Sequence, residues 1–258
     1  MNLYKVLEEG CERYRLMLYN IRYGSGTGWR FHVPVPFGGY LRKSGSTFTP
    51  IAELIKSYSP DLVGLVEVDG GSIRTGRENQ AWLVAKELGH HYVFRNKYDP
   101  FGFTSAMPLM SKMGNAVLSR HDIVAKRYHY FTKGVKRLVI EVELENLVFL
   151  LVHLSLHRKH RQEQLAEMVP LIRSLDKPVI VGGDFNAFKG PAELRDFLSA
   201  ARLVSANTGN IRTFPSRKPR WELDYIFHSR QIAVNNVHMP RVRLSDHLPL
   251  VCDFTINN

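Results

Sequence analysis

The sequence predicts an α/β fold in which two sheets pack face to face with helices outside. Three observations predict it. Apolar runs of strand length outnumber the helical patterns. The helical patterns interrupt those runs irregularly instead of alternating with them. No repeat of solenoid length and no linker divides the 258 residues, so a single domain over 1–258 is expected.

Residues 15–21, RLMLYNI, read as a buried strand. A Gly-rich, aromatic and basic connection follows from Gly24 to about Pro50, long enough to suggest function. Ile51, Leu54, Ile55 and Tyr58 sit at helical spacing, with Thr49 as N-cap and Pro50 in the first turn. DLVGLVEV at 61–68 is a second strand. Ala81, Val84, Ala85 and Leu88 mark a helix closed by Gly89. A strand over 91–95, a loop over 97–113 and a short strand over 115–119 come next. In 134–155, Leu138, Ile140, Val142 and Leu144 alternate with wetter positions, turn at Glu145-Asn146, and return through LVFLLVHLS. A basic helix spans 158–175. Strand 178–182, helix 191–199 and strands 223–228, 231–238 and 249–255 complete the order.

Composition narrows the class. The chain is 44% hydrophobic, enough for a sizeable core, yet its longest apolar run, LVFLLV, is far too short to cross a bilayer. The first residues carry no apolar signal region. Cys11 and Cys252 make no metal spacing or disulfide framework, so a reduced, cytoplasmic protein is expected. Net charge +11 favours a polyanionic partner: nucleic acid, an anionic membrane surface or a phosphorylated small molecule.

Polar residues interrupt the apolar runs where strands meet loops: Asn20, Glu67, His153, Asp184, Asn186, Asp224, Asp246 and His247. Each has a structural alternative. GGDFNAF at 182–188 reads equally as a turn, with the Gly pair reversing the chain. Asp224 reads as a partner for Arg220, and His153 as a hydrogen-bonded core histidine. Glu67 is harder to explain that way, because an ionised carboxylate in an apolar strand needs a cation. Together the set has a chemical sense. Glu67, Asp184 and Asp246 supply hard oxygens for Mg²⁺ or Mn²⁺, and Asp224 can orient an imidazole. Two amides hold phosphate oxygens without repelling them. Two histidines titrate near neutrality. Such a kit suits metal-assisted hydrolysis of a phosphate ester. No nucleotide-binding glycine motif competes with it.

The ordered pieces YNIR (19–22), GLVEVD (64–69), NAVLSR (115–120), VHLS (152–155), GGDFNA (182–187), LDYIF (223–227) and SDHLPL (245–250) resemble the endonuclease/exonuclease/phosphatase superfamily, almost from end to end. Its members include pancreatic-type DNases, abasic-site endonucleases, neutral sphingomyelinases and inositol-polyphosphate 5-phosphatases. The resemblance implies a DNase I-like four-layer α/β/β/α sandwich with two mostly antiparallel sheets. It implies Mg²⁺ or Mn²⁺ on Glu67, with Asn20 and Asp246 close by. Asp184 and Asn186 would hold water and a phosphate oxygen, Asp224 would orient His247, and His153 would contact the phosphate. His247 is favoured as general base, since histidine titrates near neutrality.

The substrate is less legible. Basic stretches at 157–161 and 212–220, with Arg22, Arg241 and Arg243 near the motifs, suit phosphates of nucleic acid, and Tyr23, Trp29, Phe31 and Tyr40 suit base stacking. The same charges read alternatively as a solvated face. VHLS and the short segment before LDYIF depart from the abasic-endonuclease pattern. Apolar loops at 31–40 and 99–110 keep a phospholipid phosphodiesterase open, with inositol-phosphate hydrolysis as its variant. A non-catalytic phosphate-binding module is the third reading. Nothing points to an obligate protein partner, and a monomer is expected.

Overall fold

The computed structural model describes residues 12–27, 45–97, 112–209 and 211–257. Its strands are β1 (Arg13–Asn20), β2 (Leu62–Asp69), β3 (His91–Asn96), β4 (Met113–Ser119), β5 (Ala125–Tyr130), β6 (Leu138–Glu143), β7 (Val148–His153), β8 (Val179–Asp184), β9 (Val204–Ser205), β10 (Asp224–His228), β11 (Ile232–His238) and β12 (Leu250–Ile256). The helices are α1 (Gly45–Tyr58), α2 (Gln80–Leu88), α3 (Arg158–Arg173) and α4 (Arg195–Ala201). One sheet runs β11-β12-β1-β2-β4-β3 and the other β5-β6-β7-β8-β10-β9.

Alternation along the strands builds the four layers. Leu16 and Leu18 of β1 and Phe149 and Leu151 of β7 point between the sheets, where they join one core. Met17 and Tyr19 turn the other way, onto Ile51 and Ile55 of α1 and Ala81 and Val84 of α2. Leu150 and Val152 meet Leu165, Met168 and Ile172 of α3 on the far face. The order is therefore α/β/β/α. Neighbouring strands are antiparallel except for one parallel pair in each sheet, β1 with β2 and β7 with β8. Each parallel pair is joined by a helical crossover, α1 or α3, as parallel pairing requires.

The structure departs from the sequence expectations in several places. α1 begins at Gly45, so Thr49 is not its cap and Pro50 lies inside it. β5 was not foreseen, because AKRYHY carries no apolar alternation; it is an edge strand whose pairing comes from β6. The glycines of GGDFNAF do not reverse the chain. Both lie within β8, and a Cβ on Gly183 would stand 1.9 Å from the Val152 carbonyl oxygen of β7. Only glycine lets the two strands close there. Tyr23 is no stacking platform, since it is buried with Arg74 and Lys97 each 5.0 Å from its ring. Trp29, Phe31, Tyr40, Cys11 and both apolar loops lie outside the described residues. Cys252 is a buried free thiol. Among the described residues no helix is long and apolar enough to cross a membrane.

Candidate functional site

The two parallel pairs end at the same edge of the sandwich. Asn20 closes β1, His153 closes β7 and Asp184 closes β8. Register places His153 beside Asp184 on one side, and Asp224, the first residue of antiparallel β10, on the other. The loop ahead of β12 carries Asp246 and His247 to this edge. It is anchored by Ser245, whose hydroxyl donates to the Asn20 carbonyl at 2.8 Å.

Asp184 is the centre of the arrangement. Asn20 Nδ2 donates to its Oδ2 at 3.1 Å. His153 Nε2 lies 3.3 Å and His247 Nε2 3.9 Å from the same oxygen. Asp184 Oδ1 accepts the Asn186 backbone N–H at 3.0 Å. The Asn186 side chain donates to the Leu154 carbonyl at 2.9 Å, which fixes its left-handed backbone at φ 51°. His247 Nδ1 pairs with Asp224 Oδ2 at 2.7 Å, not Asp224 with Arg220. Phe214 packs against the His247 ring with centroids 4.8 Å apart, and Trp221 and Phe188 continue outward from it.

Glu67 reaches the site by a different device. The pairing of β2 with β4 shifts register between Leu65 and Val68, and Glu67 takes φ 56° as the extra residue. Its N–H donates to the side chain of buried Asn115 at 3.3 Å. Its carboxylate lies 3.9 Å from both His153 Nε2 and Lys136 Nζ. Lys136 also meets His153 Nε2 directly.

Charge follows this geometry. Burial opposes ionisation of Asp184, but His153 and His247 outweigh it and hold the carboxyl far below its ordinary range. Burial likewise opposes Glu67, and Lys97, Lys136 and His153 overcome it. His153 is pushed down to about 4 by burial and by Lys136. His247 goes the other way. Burial would discharge it, yet Asp224 and Asp184 lift it to about 10. Its expected titration near neutrality is therefore moved away by the two carboxylates that hold it. Lys97, buried beside Glu67, is lowered to about 8, chiefly by burial.

Of the residues picked from sequence, Asn20, Glu67, His153, Asp184, Asn186, Asp224 and His247 come together through these bonds. Asp246 engages Arg22, whose guanidinium lies 3.3 Å from Oδ2, and the Ser245 hydroxyl at 3.2 Å. Arg241 and Arg243 are exposed on the segment before that loop. Lys136, Lys97 and Asn115 were missed. No periodicity marks a lysine, and only the bulge explains Asn115.

The donors decide whether a divalent cation fits. Asp184, Asp224 and His247 bring three atoms within 4.8 Å of one another. His247 Nδ1 is bound to Asp224 while Nε2 lies 3.9 Å from Asp184, so this trio lines the imidazole between two carboxylates. Glu67 and Asp184 instead offer hard carboxylate oxygens from facing sheets, and these fit a divalent cation, whereas the Asn20 side-chain oxygen accepts the Arg22 N–H at 3.1 Å.

The chain resembles known proteins along most of its length. A family model described as the Endonuclease/Exonuclease/phosphatase family matches residues 17–247. The chain is 28% identical over 223 residues to YbhP of Escherichia coli K12, covering 78% of this chain and 85% of that one. Among solved structures, a mannosyl-6-phosphatase of Bacteroides thetaiotaomicron superposes with TM-score 0.69 at 18% identity, covering 93% of this chain and 99% of that one. The human nocturnin catalytic domain, with bound sulfate, superposes with TM-score 0.66 at 22% identity, covering 96% and 98%.

Proposed function

The chain belongs to the endonuclease/exonuclease/phosphatase family of phosphoric ester hydrolases, and we propose that it is a Mg²⁺- or Mn²⁺-dependent phosphodiesterase that cleaves nucleic acid. The observation that carries the catalytic reading is the convergence of Asn20, His153 and His247 on one buried oxygen of Asp184.

Glu67 and Asp184 would hold the metal ion, with Asn20 positioning Asp184, and the ion would supply Lewis-acid neutralisation of the phosphate charge. Asp184, kept ionised, accepts a hydrogen bond from the attacking water and aims it in line with phosphorus. The proton leaving that water would go to Nε2 of His247 in its neutral form, a form that a cation beside Asp184 would favour by offsetting one of the two carboxylates that lift His247. Asp224 holds the His247 ring in place and balances its charge. Asn186 keeps one amide hydrogen for a phosphate oxygen, because the other is bound to Leu154. Lys136 and His153 flank the opposite side of the phosphate. No covalent intermediate with the enzyme is required.

Net charge +11 supports nucleic acid as the substrate class. The purified protein with Mg²⁺ or Mn²⁺ should cleave plasmid, single-stranded DNA or RNA in preference to sphingomyelin vesicles and inositol phosphates, and EDTA should abolish cleavage. Preference for either lipid or inositol phosphate would overturn the substrate class. Full activity in EDTA would overturn the mechanism.

A further inference from the structure

A group of exposed cations beside the site differs from several cations at the opposite end of the sandwich. Three of those at the opposite end pair with carboxylates. Arg15 pairs with Asp253 at 2.6 Å, Arg120 with Asp61 at 2.9 Å and Lys177 with Glu143 at 2.7 Å. At the site edge, Arg212, Arg217, Lys218, Arg220, Arg241 and Arg243 are all exposed, and among the described residues none has a carboxylate within ion-pair distance. These six come from two segments that are tied together. Ser216 N–H donates to the Asp246 carbonyl at 2.7 Å, Ser216 Oγ to the Ser245 carbonyl at 2.6 Å, and Leu248 N–H to the Thr213 carbonyl at 2.8 Å. Thr213 in turn accepts the Asp224 N–H at 3.3 Å. The unneutralised cations are therefore fixed to the same backbone that carries His247 and Asp224.

Between the two segments runs a groove of about 510 Å³. Arg212, Arg241 and His238 line it, with Ile211, Val237 and Met239 as apolar surface. Paired positive side chains beside an apolar floor match one ligand chemistry: an anionic phosphate joined to a flat, weakly polar ring. A base whose face is open belongs to an unpaired strand, because in a duplex that face is covered by its neighbours. An anionic membrane surface would suit the cations, but a recessed floor lies out of reach of a flat headgroup layer.

We propose that this groove binds a nucleotide flanking the scissile phosphate in a single-stranded nucleic acid, with its phosphate on Arg212 and Arg241 and its base against Ile211 and Met239. The inference rests on the nucleic-acid reading above and extends it to a site outside the catalytic cluster. Release of counterions from a strand gives binding a salt dependence proportional to the phosphates neutralised.

The test is equilibrium binding of a fluorescent oligothymidylate in EDTA, where no cleavage occurs, between about 50 and 200 mM salt. Arg212→Gln/Arg241→Gln is compared with wild type and with Lys56→Gln/Lys126→Gln, which removes the same charge from exposed positions on α1 and β5. The groove variant should lower the slope of log K against log salt by about 0.7, the value for one single-strand phosphate contact. The control should leave the slope unchanged. Met239→Ala should weaken the oligonucleotide several-fold and leave binding of a blunt duplex unaltered. Equal slopes in both double variants would overturn the proposal, as would tighter wild-type binding to phosphatidylserine vesicles than to the oligonucleotide. Because binding is read without metal, the outcome is separate from that of the cleavage assay. A protein that binds the strand through the groove yet cleaves none of it would retain this site and lose the catalytic reading.

Discussion

The two parallel strand pairs solve one problem in two ways. β1 with β2 and β7 with β8 each cross over through a helix, and each delivers polar side chains to the same edge. In β7 and β8 the delivery is regular, with His153 directly opposite Asp184. That regularity depends on Gly183, which lets β8 lie against the Val152 carbonyl. In β2 the delivery is irregular. Leu62 and Val66 face the inter-sheet core while Val63, Leu65 and Val68 face the helices. Val66 and Val68 would share a face in an unbroken strand, so Glu67 is an inserted residue that belongs to neither. One pair thus holds its carboxylate rigidly among hydrogen bonds, and the other suspends its carboxylate on a bulge among cations. The first suits orientation of a reacting group. The second suits a ligand that shares its carboxylate with a metal.

Predictions follow from that contrast, and the largest concerns the rigid centre. Asp184→Ala and His247→Ala should each lower kcat by on the order of 10³-fold or more with circular dichroism unchanged. Added metal should not restore either. Near-normal hydrolysis of a phosphodiester by either variant would remove Asp184 from the centre of the comparison.

Gly183→Ala should cost more than ~4 kcal/mol in urea unfolding, or leave no folded protein, because its Cβ meets backbone that cannot move aside. Gly182→Ala should cost much less, since the nearest atom is the Phe149 ring at 3.1 Å. Equal costs would show that β8 does not need its close approach.

The bulge is probed by Glu67→Gln. It should weaken divalent-metal binding by roughly 10- to 100-fold in calorimetry, with turnover recovered at high metal concentration. Asn115→Ala removes the acceptor of the Glu67 N–H and should cost about 1 to 3 kcal/mol. It should also raise the metal concentration needed for half-maximal turnover. A change in stability with no change in metal requirement would separate the bulge from metal binding.

The smallest effect lies at the far end. His90, beside β3, is pushed down to about 4 by burial and by Arg120. Its folded value lies below its ordinary 6.5, so the unfolded chain binds the extra proton first. Its contribution is fully present above about 6.5 and is lost as pH falls towards about 4. The thermal midpoint should drop across that window in wild type and drop less in His90→Gln. A change in kcat would tie this remote histidine to the site.

Much of the site was legible because chemistry interrupted pattern. Glu67, His153 and Asp184 stand in otherwise apolar strands, and burial of such groups demands a partner whatever the fold. β5 was illegible, because an edge strand that packs only Tyr128 against the inter-sheet core has no apolar period to show. Lys136 was illegible for a related reason. A lysine in a polar loop looks solvated until register brings β6 and β7 beside β8.

The sequence by itself determined which residue types stand at the strand ends, in what order, and that both sheets would bury alternate side chains. These are local properties, carried by hydrophobic period and by the cost of burying charge. Only the tertiary structure decided that Asn20, His153 and His247 meet on one oxygen, that Gly183 serves closeness and not a turn, and that Glu67 rides a bulge. Those outcomes depend on register between strands far apart in the chain. Register is set by the sum of all packing across a sheet, and no single stretch of residues carries that sum.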